Sequence, residues 1–274
     1  MERHGSVTYA GTFLADPVED TQVSSMAVIR YKIAWSEEKR ALRIDTSFDV
    51  RTDAGGKDPD SYSATLRRYH RLLWSKQLPS GRDFTLREGI PGHYLHHQSD
   101  LGEFSLSSDS VVPSFTRWKS MQHIIGAFPE EDNEAFRTHG YTIGGMMVLP
   151  AHRVDGKLNI NGARGFNRKI ADRFDLTLEC IRRYYRGEAS PLGGTLARYP
   201  EFFALFESFE GYVDFFLLQD LVTKDAASVK FLMPFDDFQS PSVPQDEDTY
   251  RKYRDRSIEF IHARNGRIDA FVNS

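Results

Sequence analysis

The sequence predicts an α+β fold in a single domain, mostly antiparallel strands packed with several helices, with a helix-rich C-terminal half. Three observations lead there. Period-two alternation of apolar and polar residues marks strands early in the chain. Helical periodicity dominates the later part. The two are not regularly interleaved, as a doubly wound parallel sheet would require. A chain of 274 residues, 40% of them hydrophobic, is long enough to bury a sizeable core without staples.

Residues 1–25 are polar and turn-rich and read as a loose N-terminal arm, with the domain spanning 26–274. Ile29, Tyr31, Ile33 and Trp35 alternate with polar neighbours, as do Leu42, Ile44, Thr46, Phe48 and Val50. The polar link Ser36–Arg40 would join these two strands in a hairpin. TDAGGKD, residues 52–58, is a turn, and Asp58-Pro59 opens a helix with proline at its first position. That helix would turn Leu66, Tyr69 and Leu73 inward and Arg67, Arg68 and Arg71 outward. Short strands and loops are expected over Phe84–Val112, then helices over Arg117–Ile125 and Glu131–Thr138. Tyr141–Pro150 reads as a strand, and Asp155-Gly156 as a tight hairpin returning through Lys157–Asn161. A helix follows over residues 167–186, and Pro191–Gly194 breaks the chain. Tyr199–Thr223 has the period of buried helix, interrupted near Gly211. Val229–Phe235 would be a strand, and Asp246 would cap a last basic helix ending near Asn265-Gly266.

Composition excludes some functions and places others. The formal charge is -4, with Lys+Arg 35 against Asp+Glu 39, so nothing global draws the chain to nucleic acid or to anionic lipid. Cys180 is the one cysteine, which rules out an intramolecular disulfide and fits a reducing cytoplasm. The first residues lack the basic-then-apolar order of a signal peptide. The most apolar run, Tyr212–Val222, carries Asp214, Gln219 and Asp220 and falls far short of the roughly 20 apolar residues of a membrane span. The expectation is a soluble cytoplasmic protein with no membrane partner.

The segment NGARGFNRKIADRFDLTLECIRRYYR, residues 161–186, carries the leading functional expectation. Gly162 and Gly165 would form a turn between strand and helix, where free N–H groups can receive an anion. Arg164 and Arg168 would add positive charge, so Gly162, Arg164, Gly165 and Arg168 are the candidate ligand-binding residues for a phosphate-containing small molecule. Neither GxxxxGK[ST] nor GxGxxG is present. Along the helix, 100° per residue gathers Arg168, Asp172, Asp175, Glu179, Arg182, Arg183 and Arg186 in one stripe. Asp172 and Asp175 are the candidate catalytic residues, as base or metal ligand beside the arginines. The alternative is a solvated face laced by Arg168–Asp172 and Glu179–Arg183 pairs, worth about 0.2–0.5 kcal/mol each.

Other clusters have weaker chemistry. REGIPGHYLHHQ, residues 87–98, resembles a zinc-peptidase-like HExxPGH sequence, but Arg87 stands where the first histidine must be. Glu88, His93, His96 and His97 remain a possible zinc set, against a polar loop. Asp45, Ser47, Asp49, Arg51, Asp53 and Asp58 could hold Mg²⁺ or line the wet side of a strand. Arg67, Arg68, Arg71 and Lys76 with Tyr69, His70 and Trp74 could touch nucleic-acid phosphates, as could Arg251, Lys252, Arg254 and Arg256, but an amphipathic surface helix explains each. No GxSxG motif is present, and Cys180 reads as a small buried hydrophobe.

GKDPDSYSATLRRYHRLLWSKQLPSG (56–81), LGEFSLSSDS (101–110), GYTIGG (140–145), NGARGFNRKIADRFDLTLECIRRYY (161–185) and GYVDFFLLQDLV (211–222) resemble an uncharacterised family of bacterial proteins. The resemblance runs from about Asp45 onward. It implies one continuous domain and a bacterial origin, and brings no activity, cofactor or catalytic residue with it. The leading expectation is therefore an enzyme or receptor for a phosphorylated or nucleotide-type anion. The alternatives are a non-catalytic module binding protein or nucleic acid, and a zinc-dependent hydrolase. No cofactor is specified, and no metal ligand is assigned.

Overall fold

A computed structural model describes residues 43–273. The expected strand Ile29–Trp35, its hairpin and the boundary at residues 25/26 lie outside the described residues. Ile44–Ser274 forms one compact unit. Two short helices open it, α1 (Pro59–Tyr62) and α2 (Ala64–Trp74). A two-stranded antiparallel ribbon follows, β1 (Lys76–Gln77) with β2 (Asp83–Phe84), and then the main sheet. That sheet is antiparallel in the order β3 (Leu95–Ser99), β4 (Gly102–Ser110), β5 (Met146–Pro150). Between β4 and β5 lie α3 (Gln122–Ile125) and α4 (Glu130–Gly140). The C-terminal half is helical: α5 (Ile160–Phe166), α6 (Phe174–Tyr185), α7 (Gly193–Leu196), α8 (Pro200–Ala204), α9 (Phe209–Phe215) and α10 (Glu247–Asn273). This is the α+β, helix-rich architecture the patterning predicts.

Local chemistry explains where these elements start. Proline opens α1, and extended Ser63 closes it. The Ser63 hydroxyl accepts the Leu66 N–H at 3.0 Å, and Asp53 accepts the Thr65 N–H at 2.8 Å, so two free donors of the first turn of α2 are satisfied. Its buried residues Leu66, Tyr69, His70, Leu73 and Trp74 form one face. His70 ties that face to the sheet. The Trp74 indole N–H donates to its Nδ1 at 3.0 Å, so Nε2 carries the proton toward Ser108 Oγ, also at 3.0 Å. Along β4, Phe104, Leu106 and Ser108 are buried while Ser105, Ser107 and Asp109 face the other way, half-exposed. Opposite β4, the register pairs Leu95 with Leu106 and Ser107 with Leu149. The strand β3 therefore stops short of Ser107–Ser110, and α1 packs against β4.

Several expected elements differ, each for a local reason. Ile44–Val50 is a series of turns, because Asp45 and Asp49 accept the N–H groups of Ser47 and Arg51 two residues on. Helix over Arg117–Ile125 shrinks to a 3₁₀ turn, Lys119–Met121, and α3. Within Tyr141–Pro150, a 3₁₀ turn at Ile143–Gly145 precedes β5. Any Cβ at Gly145 would lie 2.2 Å from the Gly140 carbonyl oxygen. Asp155 and Gly156 do turn with φ 52° and 68°, but no strand returns. Instead Asn159 caps α5, accepting the Gly162 N–H at 2.9 Å and donating to Ala151 O at 2.9 Å.

The expected helix over 167–186 begins only at Phe174, because Ala171 and Asp172 take left-handed φ of 49° and 65°. The break expected near Gly211 falls at Glu207, φ 62°, with Ser208 capping α9. Gly211 lies inside α9, packed so closely that a Cβ would sit 2.1 Å from Phe206 O. Val229–Phe235 forms only an isolated bridge from Val229 to Val222, since the Leu232 N–H is taken by Asp175 at 2.9 Å. Asp246 caps α10 as expected, accepting the Thr249 N–H at 2.7 Å. The helix then runs past Asn265-Gly266. Asn265 accepts the Gly144 N–H, and Arg264, fully buried, donates to the carbonyls of Gly144, Met146 and Phe216.

Candidate functional site

Ser107 and Asp109 point to one face of β4 because strand side chains alternate. Asn161 and Arg164, three apart on α5, come down on that face together. The Asn161 amide donates to Ser107 Oγ at 3.1 Å. Arg164, fully buried, donates to Asp109 at 2.8 Å and to Ser110 O at 3.0 Å. Its Nε lies 3.5 Å from the Asp172 carboxylate, and a further N–H donates to the Asp172 carbonyl. The left-handed turn at Ala171 and Asp172 is what brings the Asp172 side chain back to α5. Asp60, on α1, completes the group, and its charge is felt by Asp109, Arg164 and Asp172.

Asp109 and Asp172 thus pair with one guanidinium, and Asp60 stands near enough to feel all three charges, a formal surplus of two negative charges. Burial, then the neighbouring Asp172, pushes the Asp109 carboxyl up to about 6 against the pull of Arg164. Burial and the charges of Asp109 and Asp58 hold Asp60 well above the ordinary carboxylate range. Several buried polar atoms around this centre meet no protein partner: Asp60 Oδ1, Asn161 Oδ1, Tyr94 OH and Arg67 Nε. Arg67 stacks on the Tyr94 ring at 4.8 Å, and Tyr94 in turn feels Asp60. Burial raises the Tyr94 phenol, which keeps it a neutral hydroxyl.

The structure separates the residues expected to act together. Arg164 and Asp172 meet at the carboxylate centre, with Gly165 beside them inside α5. Gly162 is also helical, and its N–H is already held by Asn159. Asp175 is fully buried in a different network, where it accepts from Arg173 and from the Leu232 N–H, so it is a structural tie. Arg168 is exposed on the loop between α5 and α6 and makes no pair with Asp172. Of the expected stripe, the Glu179–Arg183 pair does form, at 2.7 Å, joined by Arg182 at 2.8 Å.

The histidine segment does not gather into a ligand set. Glu88 pairs with Arg71 at 2.6 Å, His93 bonds Ser105, and His97 stacks on Phe84. Among the described residues, no three His, Cys, Asp or Glu side chains are placed to hold a metal ion. Asp49 pairs with Arg51, and Asp53 serves the α2 cap. His70 and Trp74 of the basic helix are buried. Sequence reading missed Asp60, Asn161 and Asp109 as site residues. The signal available was weak: Asp109 ends a polar alternation, Glu103-Ser105-Ser107-Asp109, that looks like any wet strand face.

With that geometry in view, comparison with known families decides the relationship: a family model described as a family of unknown function, DUF6994, matches residues 44–268. The chain belongs to that family. Comparisons with curated proteins and with solved structures return no match. The DUF6994 match covers every element of the unit but the last turn of α10, and includes all four residues of the carboxylate–arginine centre. No helix among the described residues is long and apolar enough to cross a membrane.

Proposed function

We propose that the chain is an enzyme using general acid–base chemistry at Asp60, Asp109 and Asp172, on a small polar ligand that is neutral or cationic. The observation behind this reading is two carboxylates paired with one buried guanidinium, with a third carboxylate, Asp60, in electrostatic reach of them. Like charges in one site cannot all ionise, so one carboxyl keeps its proton near neutral pH. Proton transfer is most effective when the group's pKa lies near the working pH, which is where Asp109 stands. Asp60 Oδ1, Asn161 Oδ1, Tyr94 OH and Arg67 Nε have no protein partner, so a polar ligand's donors and acceptors could pair with them. A phosphate at Arg164 would face Asp109 and Asp172 rather than free positive charge. A reducing bacterial cytoplasm suits the chain, since its single thiol, Cys180, is buried and pushed up to about 11 by that burial.

Two measurements test the reading. In a carbon-13 titration of labelled aspartates, one carboxyl should titrate near pH 6 and disappear in Asp109→Asn. A thermal-shift screen of nucleosides, sugars, amino acids and polyamines should find a ligand that raises the melting temperature of the wild type. Asp60→Asn and Asp109→Asn should abolish that shift. If every aspartate titrates in the ordinary range and no ligand response depends on these residues, the proposal fails.

A further inference from the structure

We infer that a second site, separate from the carboxylate centre, binds the phosphate group of a small phosphorylated molecule in an open depression between the α5–α6 loop and the end of α6. The depression measures about 640 Å³ and is lined by Asn167, Arg168, Lys169, Arg183, Asp237 and Phe238, among others. That volume is within the range of small-molecule sites, roughly 300–1,000 Å³.

Its cations divide into two kinds. Arg183 is committed: it holds Glu179 at 2.7 Å and Asp237 at 2.5 Å, donates to Ala189 O at 3.2 Å and covers the Phe238 ring at 5.0 Å. Arg168 and Lys169 are exposed, and their side chains have no hydrogen-bond or ion-pair partner among the described residues. With Arg183 held by Glu179 and Asp237, Arg168 and Lys169 leave two unpaired positive charges at the depression. A phosphate monoester carries nearly that charge in the opposite sense near neutral pH.

The backbone carrying the two free cations is fixed. Asn167 Oδ1 accepts the Lys169 N–H at 2.9 Å, while its amide donates to Pro191 O at 3.3 Å. Ser242 Oγ donates to the Arg168 carbonyl at 2.6 Å. The backbone of Arg168 and Lys169, which line the same depression as Phe238, is thus tied down before any ligand arrives. A long nucleic-acid backbone fits less well, because its affinity grows with the number of phosphates neutralised and this depression offers few cations.

Calorimetric titration with inorganic phosphate and with pyrophosphate tests the site. The variant is Arg168→Glu/Lys169→Glu, which leaves Arg183 and its structural partners alone. Arg117→Glu/Lys119→Glu makes the same change of charge outside the depression. Circular dichroism melting of all three proteins checks that they remain folded. Saturable binding to the wild type that weakens at least tenfold in the first variant and is unchanged in the second is the expected result. No saturable binding, or equal weakening in both variants, overturns the site. Binding of duplex DNA that depends on Arg168 and Lys169, with no response to either small anion, replaces it with a nucleic-acid surface. None of these outcomes bears on the aspartate titration.

Discussion

Arg164 carries a charge into the core, where isolated charges are costly, and it is retained because Asp109, Asp172 and two carbonyl oxygens surround it. Arg164→Met should therefore cost about 3–5 kcal/mol in urea unfolding, the usual penalty for removing one partner of a buried ionic group. His70 makes the opposite choice and stays neutral. Burial, then the charge of Arg264, depresses it to about 3, against an ordinary value of 6.5. The unfolded chain thus takes up a proton at His70 as pH falls through 6.5, while the folded chain does not until about 3. Its contribution to stability is complete above pH 6.5 and drains away below it, at up to about 1.4 kcal/mol per pH unit. Replacing His70 with Asn, which keeps a donor toward Ser108, should flatten this slope in urea midpoints measured from pH 7 to 4.

Elements begin and end here where side chains capture the backbone. Asn159, Ser63, Ser208 and Asp246 all cap helices, and Asp45 and Asp49 fold their own segment into turns. Glycine has two distinct uses within helices. At Gly211 of α9, no space exists for a methyl group, so Gly211→Ala should destabilise by about 2 kcal/mol or more, as overpacking against backbone does. At Gly266 of α10, nothing lies within 4 Å of an added Cβ. Gly266→Ala should instead stabilise by about 0.5–1 kcal/mol, the normal helical preference for alanine. Thermal melts of the two variants should move in opposite directions, and a shift of the same sign in both would contradict this packing.

At the scale of the molecule, the carboxylate centre and His70 pull stability in opposite directions with pH. The folded Asp109 binds its proton more tightly than the unfolded chain does, so between about pH 6 and 4 acid favours the fold at that residue. Over the same window His70 favours unfolding. In Asp109→Asn the first of these effects is lost. The change in unfolding free energy from pH 7 to pH 5 should therefore be more negative in that variant than in the wild type. An unchanged difference would mean that Asp109 does not hold a proton in the folded protein. The α10 helix adds a further whole-molecule tie, since Tyr253, Arg264 and Asn265 bond Pro113, Gly144, Met146 and Phe216 from distant parts of the chain.

Local patterns were legible wherever the physics is local. The inward face of α2, the proline start of α1, the Asp246 cap, the Glu179–Arg183 pair and the α+β balance all follow from periodicity, capping and spacing. So did the family relationship, which rests on long stretches of sequence. The strand expected over Ile44–Val50 failed because aspartate side chains competed for its N–H groups, an option alternation does not register. The continuous helix over 167–186 failed because Asn167 and a left-handed Asp172 interrupt a sequence that has good helical period on both sides. For the site, sequence marked Arg164, Asp172 and Arg168 as one group, and the fold assigns the first two to a buried carboxylate centre and the third to an open basic depression. Periodicity tells which way a side chain points from its own element. It does not tell which distant side chain meets it there. Only tertiary packing, by stacking α1 and α5 on β4, brought Asp109 and Asp172 to one guanidinium and Asp60 within reach of their charges.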